Sequence, residues 1–135
     1  MAKSKKISNA QTLLNQYRPN LWRKSLLESV SEADNRALQD CVKQICFIQE
    51  LVQTLRDNKL LGEKLYWIIY ASYMTKQQMG DVEEILSYIA HKYEHIPRRT
   101  YFRLKGRAIQ MLDKQLSELT VKDIDGKVVV GKIAS

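Results

Sequence analysis

Residues 81–112 read DVEEILSYIAHKYEHIPRRTYFRLKGRAIQML, and the fold turns on this stretch. Asp81 has the short polar side chain of a helix N-cap, and Glu84 stands three residues on in capping-box position, so a helix start is expected there. Val82, Ile85, Leu86, Ile89 and Ala90 recur at three-to-four spacing and supply the expected buried face. The periodicity breaks over Lys92 to Ile96. Pro97 then suits the first turn of a second helix, where a missing N–H leaves no bond unmade. Tyr101, Leu104, Ala108, Met111 and Leu112 carry an apolar stripe on to about Leu119. Two helices joined by a short turn are the expectation, within an all-α domain.

Outward from this stretch the same spacing holds almost everywhere, and only two prolines and five glycines interrupt it. Leu60 to Met74 is rich in Leu, Ile, Tyr and Trp nearly all round, which fits a helix at the centre of a bundle. Tyr66, Trp67, Tyr70 and Tyr73 read as core before they read as a base-stacking platform, because single-strand binders display such rings on a sheet or groove. Further upstream, Ser31 and Asp34 have N-cap chemistry before a long helix reaching Arg56. In it Leu38, Cys41, Ile45, Ile48, Val52 and Leu55 follow a 3-4-3-4-3 spacing and fall on one seam. At about two and a half heptads the seam serves packing within the chain or a dimer contact. The first helix is expected from Ser8 to Tyr17, stopped by Pro19, and a second from Asn20 to about Val30.

At the other end, Val121 and Ile124 precede Asp125-Gly126, and Val128, Val129 and Val130 follow, a hairpin-turn pattern. The expected organisation is a helical bundle: 1–58 an N-terminal helical region, 59–119 a helix-turn-helix domain, 120–135 a tail or short β-hairpin.

Charge distribution points to the partner. The formal net charge is +7, and between His91 and Arg107 six cations (Lys92, Arg98, Arg99, Arg103, Lys105, Arg107) stand against one acid, Glu94, a local excess of +5. Lys3, Lys5 and Lys6 add a basic arm, which either contacts phosphates or is an unstructured terminus. A basic second helix is what insertion into the major groove of double-stranded DNA requires, since that groove admits one helix. Arg98, Arg99, Thr100 and Arg103 lie in its first turns and are the expected base contacts. Lys76, Lys92, Tyr101, Lys105 and Arg107 are the expected phosphate contacts, which set register without reading sequence. Gly106 costs about 1 kcal/mol in a helix interior, so either a close contact requires it or the helix is locally weak.

No Gly-rich phosphate loop, nucleophile elbow or metal-binding spacing is found, so neither an enzyme nor a cofactor is expected. Cys41 and Cys46 read as reduced thiols, and His91 and His95 straddle the turn without an obvious third ligand. No run of eighteen apolar residues occurs, and Ser8, Asn9 and Gln11 follow the basic start where a secretion signal has an apolar stretch. A cytoplasmic protein without membrane contact is expected.

Leu65-Tyr66-Trp67-Ile68-Ile69-Tyr70-Ala71-Ser72-Tyr73, Asp81-Val82-Glu83-Glu84-Ile85-Leu86 and Ile96-Pro97-Arg98-Arg99-Thr100-Tyr101-Phe102-Arg103-Leu104-Lys105 together resemble the ArpU and RinA-type phage transcriptional regulators of low-GC Gram-positive bacteria. These in turn are similar to the DNA-binding region 4 of sigma factors. The resemblance covers about residues 60–116 and departs from the pattern in its turn, Lys92-Tyr93-Glu94-His95, which lacks glycine. It implies activation of phage late or packaging genes in a bacterial host, with Arg98, Arg99, Thr100 and Arg103 facing the promoter. Host RNA polymerase and a second copy of the chain, as a homodimer repeating the half-site, are the further expected partners. Two other functions fit the pattern: a small terminase-like DNA-packaging subunit, and a helical protein-interaction module acting on a transcription or defence component.

Overall fold

The computed structural model describes residues 9–30 and 35–125, and among them there is no strand. The order is α1 (Asn9–Asn15), α2 (Tyr17–Ser29), α3 (Asn35–Gln53) with a 3-10 turn at Thr54–Asp57, α4 (Gly62–Ile69) with a π turn at Tyr70–Met74, α5 (Val82–Lys92) and α6 (Arg98–Asp125). The expected caps Ser8, Ser31 and Asp34 and the arm with Lys3, Lys5 and Lys6 lie outside the described residues.

α2 and α3 run antiparallel: Gln49 Nε2 donates to the Tyr17 hydroxyl at 2.9 Å, and further along α2 Asn20 Nδ2 donates to Gln44 Oε1 at 3.5 Å. The α3 seam points inward. Cys41, Ile45, Ile48, Val52 and Leu55 are buried and Leu38 is half-buried, with Leu51 buried beside them. Ile45 to Leu55 join Leu65, Ile68 and Ile69 of α4 and Leu104, Ala108, Leu112 and Leu116 of α6 in one core. Burying each leucine, isoleucine or valine among them contributes about 1.5–3 kcal/mol.

Pro19 does not stop a helix as expected. The chain turns at Gln16, and Pro19 occupies the first turn of α2, where backbone N–H groups have no intrahelical partner to lose. On the same turn Arg18 reaches across to the end of the π segment. Its Nε donates to the Thr75 carbonyl at 2.9 Å and its Nη2 to Thr75 Oγ1 at 2.9 Å and the Ser72 carbonyl at 3.4 Å. The two carbonyls are among those that a helix end leaves without partners. Burial of the guanidinium lowers the Arg18 pKa from its ordinary value.

Three further expectations change. Leu60, placed at the start of the buried segment, is 91% exposed, because the turn before α4 is organised by Asn58, whose Oδ1 accepts from the N–H groups of Leu60 and Leu61. Ala90 is exposed, and Ile89 is the fully buried residue of α5, with Val82, Ile85 and Leu86 half-buried. The backbone of 121–125 is helical where the first strand of the hairpin was expected. Extending an existing helix adds a hydrogen bond per residue without a new nucleus, and neither glycine nor proline stands between Gly106 and Gly126 to end it. The turn glycine and second strand of that hairpin lie outside the described residues.

Candidate nucleic-acid interface

The site is built on α5, the connection 93–97 and α6. Asp81 caps α5 as expected, its Oδ1 accepting from the Glu84 N–H at 3.0 Å. Glu84 reaches back to the N–H of Gly80, one residue before the cap. At the far end the N–H groups of Tyr93 and Glu94 both donate to the Ile89 carbonyl, at 2.8 and 3.1 Å, which closes α5 without glycine. Ile96 then buries its side chain, and the Pro97 carbonyl accepts the Tyr101 N–H at 2.9 Å, so that α6 opens with Pro97 as its cap residue.

α6 is sharply two-faced. Tyr101, Leu104, Ala108, Leu112 and Leu116 are buried. Arg99, Arg103 and Arg107, at i, i+4 and i+8, are exposed on the opposite side, and Lys114 continues the row seven residues later. Among the described residues no acid pairs with Arg99, Arg103 or Arg107. Arg98 is placed differently. Its Nη1 lies 2.7 Å from Glu83 Oε2 on α5, and its guanidinium sits 5.6 Å from the Phe102 ring centre. The pair bridges the two helices, and both side chains remain more than half exposed.

The expected contacts therefore separate. Arg99 and Arg103 from the base set come together with Arg107 from the phosphate set. Thr100 is half-buried on one flank. Lys105 is half-buried on the other, its ammonium 5.4 Å from the Tyr73 ring centre and 5.8 Å from that of Tyr101. Lys92 is exposed, 5.9 Å from the Tyr88 ring centre, and Lys76 is exposed before α5. Tyr101 is a correction: it is 1% exposed and its hydroxyl lies 2.7 Å from Ser72 Oγ, so it reaches no phosphate. Its place in the apolar stripe outweighs its hydroxyl, which finds a partner inside the protein. Two residues were missed. Lys114 was legible as falling on the face of the arginine row, two turns past Arg107. Glu83 was not, because it meets Arg98 from another helix, fifteen residues away.

The aromatic cluster spans α4, the π turn and α5. Tyr66 stacks on Tyr70 at 5.9 Å and Tyr70 on Tyr88 at 6.4 Å, with Trp67 edge-on to Tyr66 at 5.3 Å. Arg56 covers Tyr66 at 3.8 Å and pairs with Glu63 at 3.0 Å, so the ring face a base would need is occupied. Burial raises the pKa values of Tyr66, Tyr73 and Tyr88. Among the described residues no three His, Cys, Asp or Glu side chains gather as metal ligands, and no helix is long and apolar enough to cross a membrane.

Compared with protein-family models, with curated proteins and with solved structures, the chain matches none of them.

Proposed function

We propose that the chain binds double-stranded DNA through α6, with α5 and α6 working as a helix-turn-helix, and that it regulates transcription. The observation that carries this reading is the exposed row of Arg99, Arg103 and Arg107 on the face of α6 turned away from the core, with no acid paired to it among the described residues. A helix is about 10–12 Å across and the major groove about 12 Å wide, so the row can lie along base edges. Arginine bonds guanine O6 and N7 bidentately. Arg98, Arg99, Thr100 and Arg103 are the proposed base contacts, and Lys76, Lys92, Lys105 and Arg107 the proposed phosphate contacts.

The resemblance to ArpU and RinA-type regulators favours phage late or packaging genes as the target, with host RNA polymerase as a further partner. A homodimer reading two half-sites would have to use a surface other than the α3 seam, which the chain's own core consumes. A ring-forming terminase subunit is the competing assembly, and light scattering separates the two by mass.

The test is fluorescence anisotropy with labelled duplexes across a salt series. Binding should weaken with salt at a log–log slope of about −0.9 per phosphate contacted. Changing Arg99, Arg103 and Arg107 together to alanine should abolish specific binding while leaving the circular dichroism spectrum unchanged. No binding by the unaltered protein at low salt removes the reading.

One observation favours a protein partner instead: Trp22 and Leu26 on α2 and Val30 just after its end are 68%, 45% and 52% exposed. For that reading, Trp22→Ala with Leu26→Ser removes activity and the arginine triple leaves it intact.

A further inference from the structure

We infer that Gly106 is the point at which the sugar–phosphate backbone of duplex DNA comes closest to α6. The inference rests on the duplex reading above and adds the register of the contact.

A glycine inside a helix lowers the folding equilibrium about fivefold relative to alanine, a cost that a close contact with a ligand would offset. The reasons internal to a protein are a backbone with positive φ, a close approach by another segment, or a break in the helix. None applies among the described residues. No glycine has positive φ, a Cβ built on Gly106 meets no atom within 4 Å, and α6 runs unbroken from Arg98 to Asp125. Gly62 shows the contrast: there a Cβ would stand 2.7 Å from the Arg56 carbonyl oxygen. The missing side chain at Gly106 serves nothing that the described chain contains.

Its place on α6 indicates what it serves. Gly106 is exposed, and helical spacing sets it one turn from Phe102 and Gln110, beside Arg103, with Arg99 two turns back. Phe102, Arg103 and Gln110 are exposed and Ile109 is half-buried, so the position is a notch floored by bare backbone with the Arg103 guanidinium at its border and Arg99 further along the same face. A ridge of negative charge fits such a notch, and the half-exposed Phe102 ring offers an apolar wall for a deoxyribose. A second copy of the same face would bring arginine against arginine.

The experiment compares the unaltered chain with Gly106→Ala and Gly106→Gln, using fluorescent duplexes enriched from a random-sequence pool, with urea unfolding in parallel. Gly106→Ala should raise the urea midpoint and still weaken duplex binding about fivefold, the low end of overpacking a close contact, with Gly106→Gln weaker again. The salt slope should stay as it was, because no cation is lost. Binding within about twofold of the unaltered protein overturns the inference, since even the low end of overpacking exceeds that. So does a fall in the urea midpoint, which would reveal an internal contact, or a change in self-association by sedimentation without a change in duplex affinity. An unaltered protein that binds while both variants bind equally well removes this inference alone. One that enriches no duplex removes the functional reading as well.

Discussion

The Asp113 carboxylate, midway along α6, accepts a 2.8 Å hydrogen bond from the backbone N–H of Ala10 in the first turn of α1. The first N–H groups of a helix lack partners within it, and a negative charge there also suits the helix dipole. This contact joins the first described helix to the last. Asp113→Ala should lower stability by about 1–2 kcal/mol, read as a shift in the urea midpoint, while Asp113→Asn keeps an acceptor and most of the stability. An unmoved midpoint in the alanine variant would mean that burial of Ala10, Leu13 and Leu14 alone holds α1.

Gly62 is a matter of space. The backbone of Leu55 and Arg56 passes so close that any Cβ must displace main chain rather than a side chain. Gly62→Ala should cost about 1–3 kcal/mol in thermal or urea unfolding, as overpacking does. The sign is opposite to that expected for Gly106→Ala, and a neutral result would show that the 3-10 turn yields.

The Arg98–Glu83 pair makes a third case. At 58% and 72% side-chain exposure, such a pair is worth about 0–1 kcal/mol, so Glu83→Gln should scarcely alter stability. Removing an acid beside the proposed DNA face should strengthen duplex binding severalfold at low salt and less at high salt. Weaker binding by Glu83→Gln would mean that holding Arg98 matters more than freeing it.

Alkaline pH gives a fourth expectation. Burial raises the Tyr73 pKa above the ordinary 10.0, outweighing the opposing hydrogen bond from Gln11, and burial raises Tyr66 and Tyr88 as well. Between the unfolded and folded values the folded state holds more protons, so stability is intact below pH 10.0 and falls as pH rises beyond it. Tyr73→Phe should flatten part of that fall in unfolding curves taken on either side of pH 10.0. An identical slope in the variant would place the titration elsewhere.

What was legible in the sequence was local. Asp81 as a cap, the α6 stripe from Tyr101 to Leu112 and the α3 seam from Cys41 to Leu55 follow from cap chemistry and helical period, and neither depends on distant residues. Pro19 shows the limit. The same ring that ends one helix is at home in the first turn of the next, and only the break at Gln16 decides between them. Leu60 and Ala90 were assigned to the interior because an apolar run does not announce where its edge lies. The exposed Arg99–Arg103–Arg107 row was contained in the residue spacing, whereas the Arg98–Glu83 and Ala10–Asp113 contacts depend on how separate helices dock.

α6 also works as a beam. Leu112 and Leu116 seat it past its middle, and its near end holds up the arginines, with Arg103 roughly 20 Å from Leu116 along the axis. The row is thus preorganised, and the entropy of fixing its backbone is lost during folding rather than on binding. A ligand gripping the near end should raise the melting temperature of the whole unit, and a cavity cut at Leu116 should loosen that grip without touching the ligand.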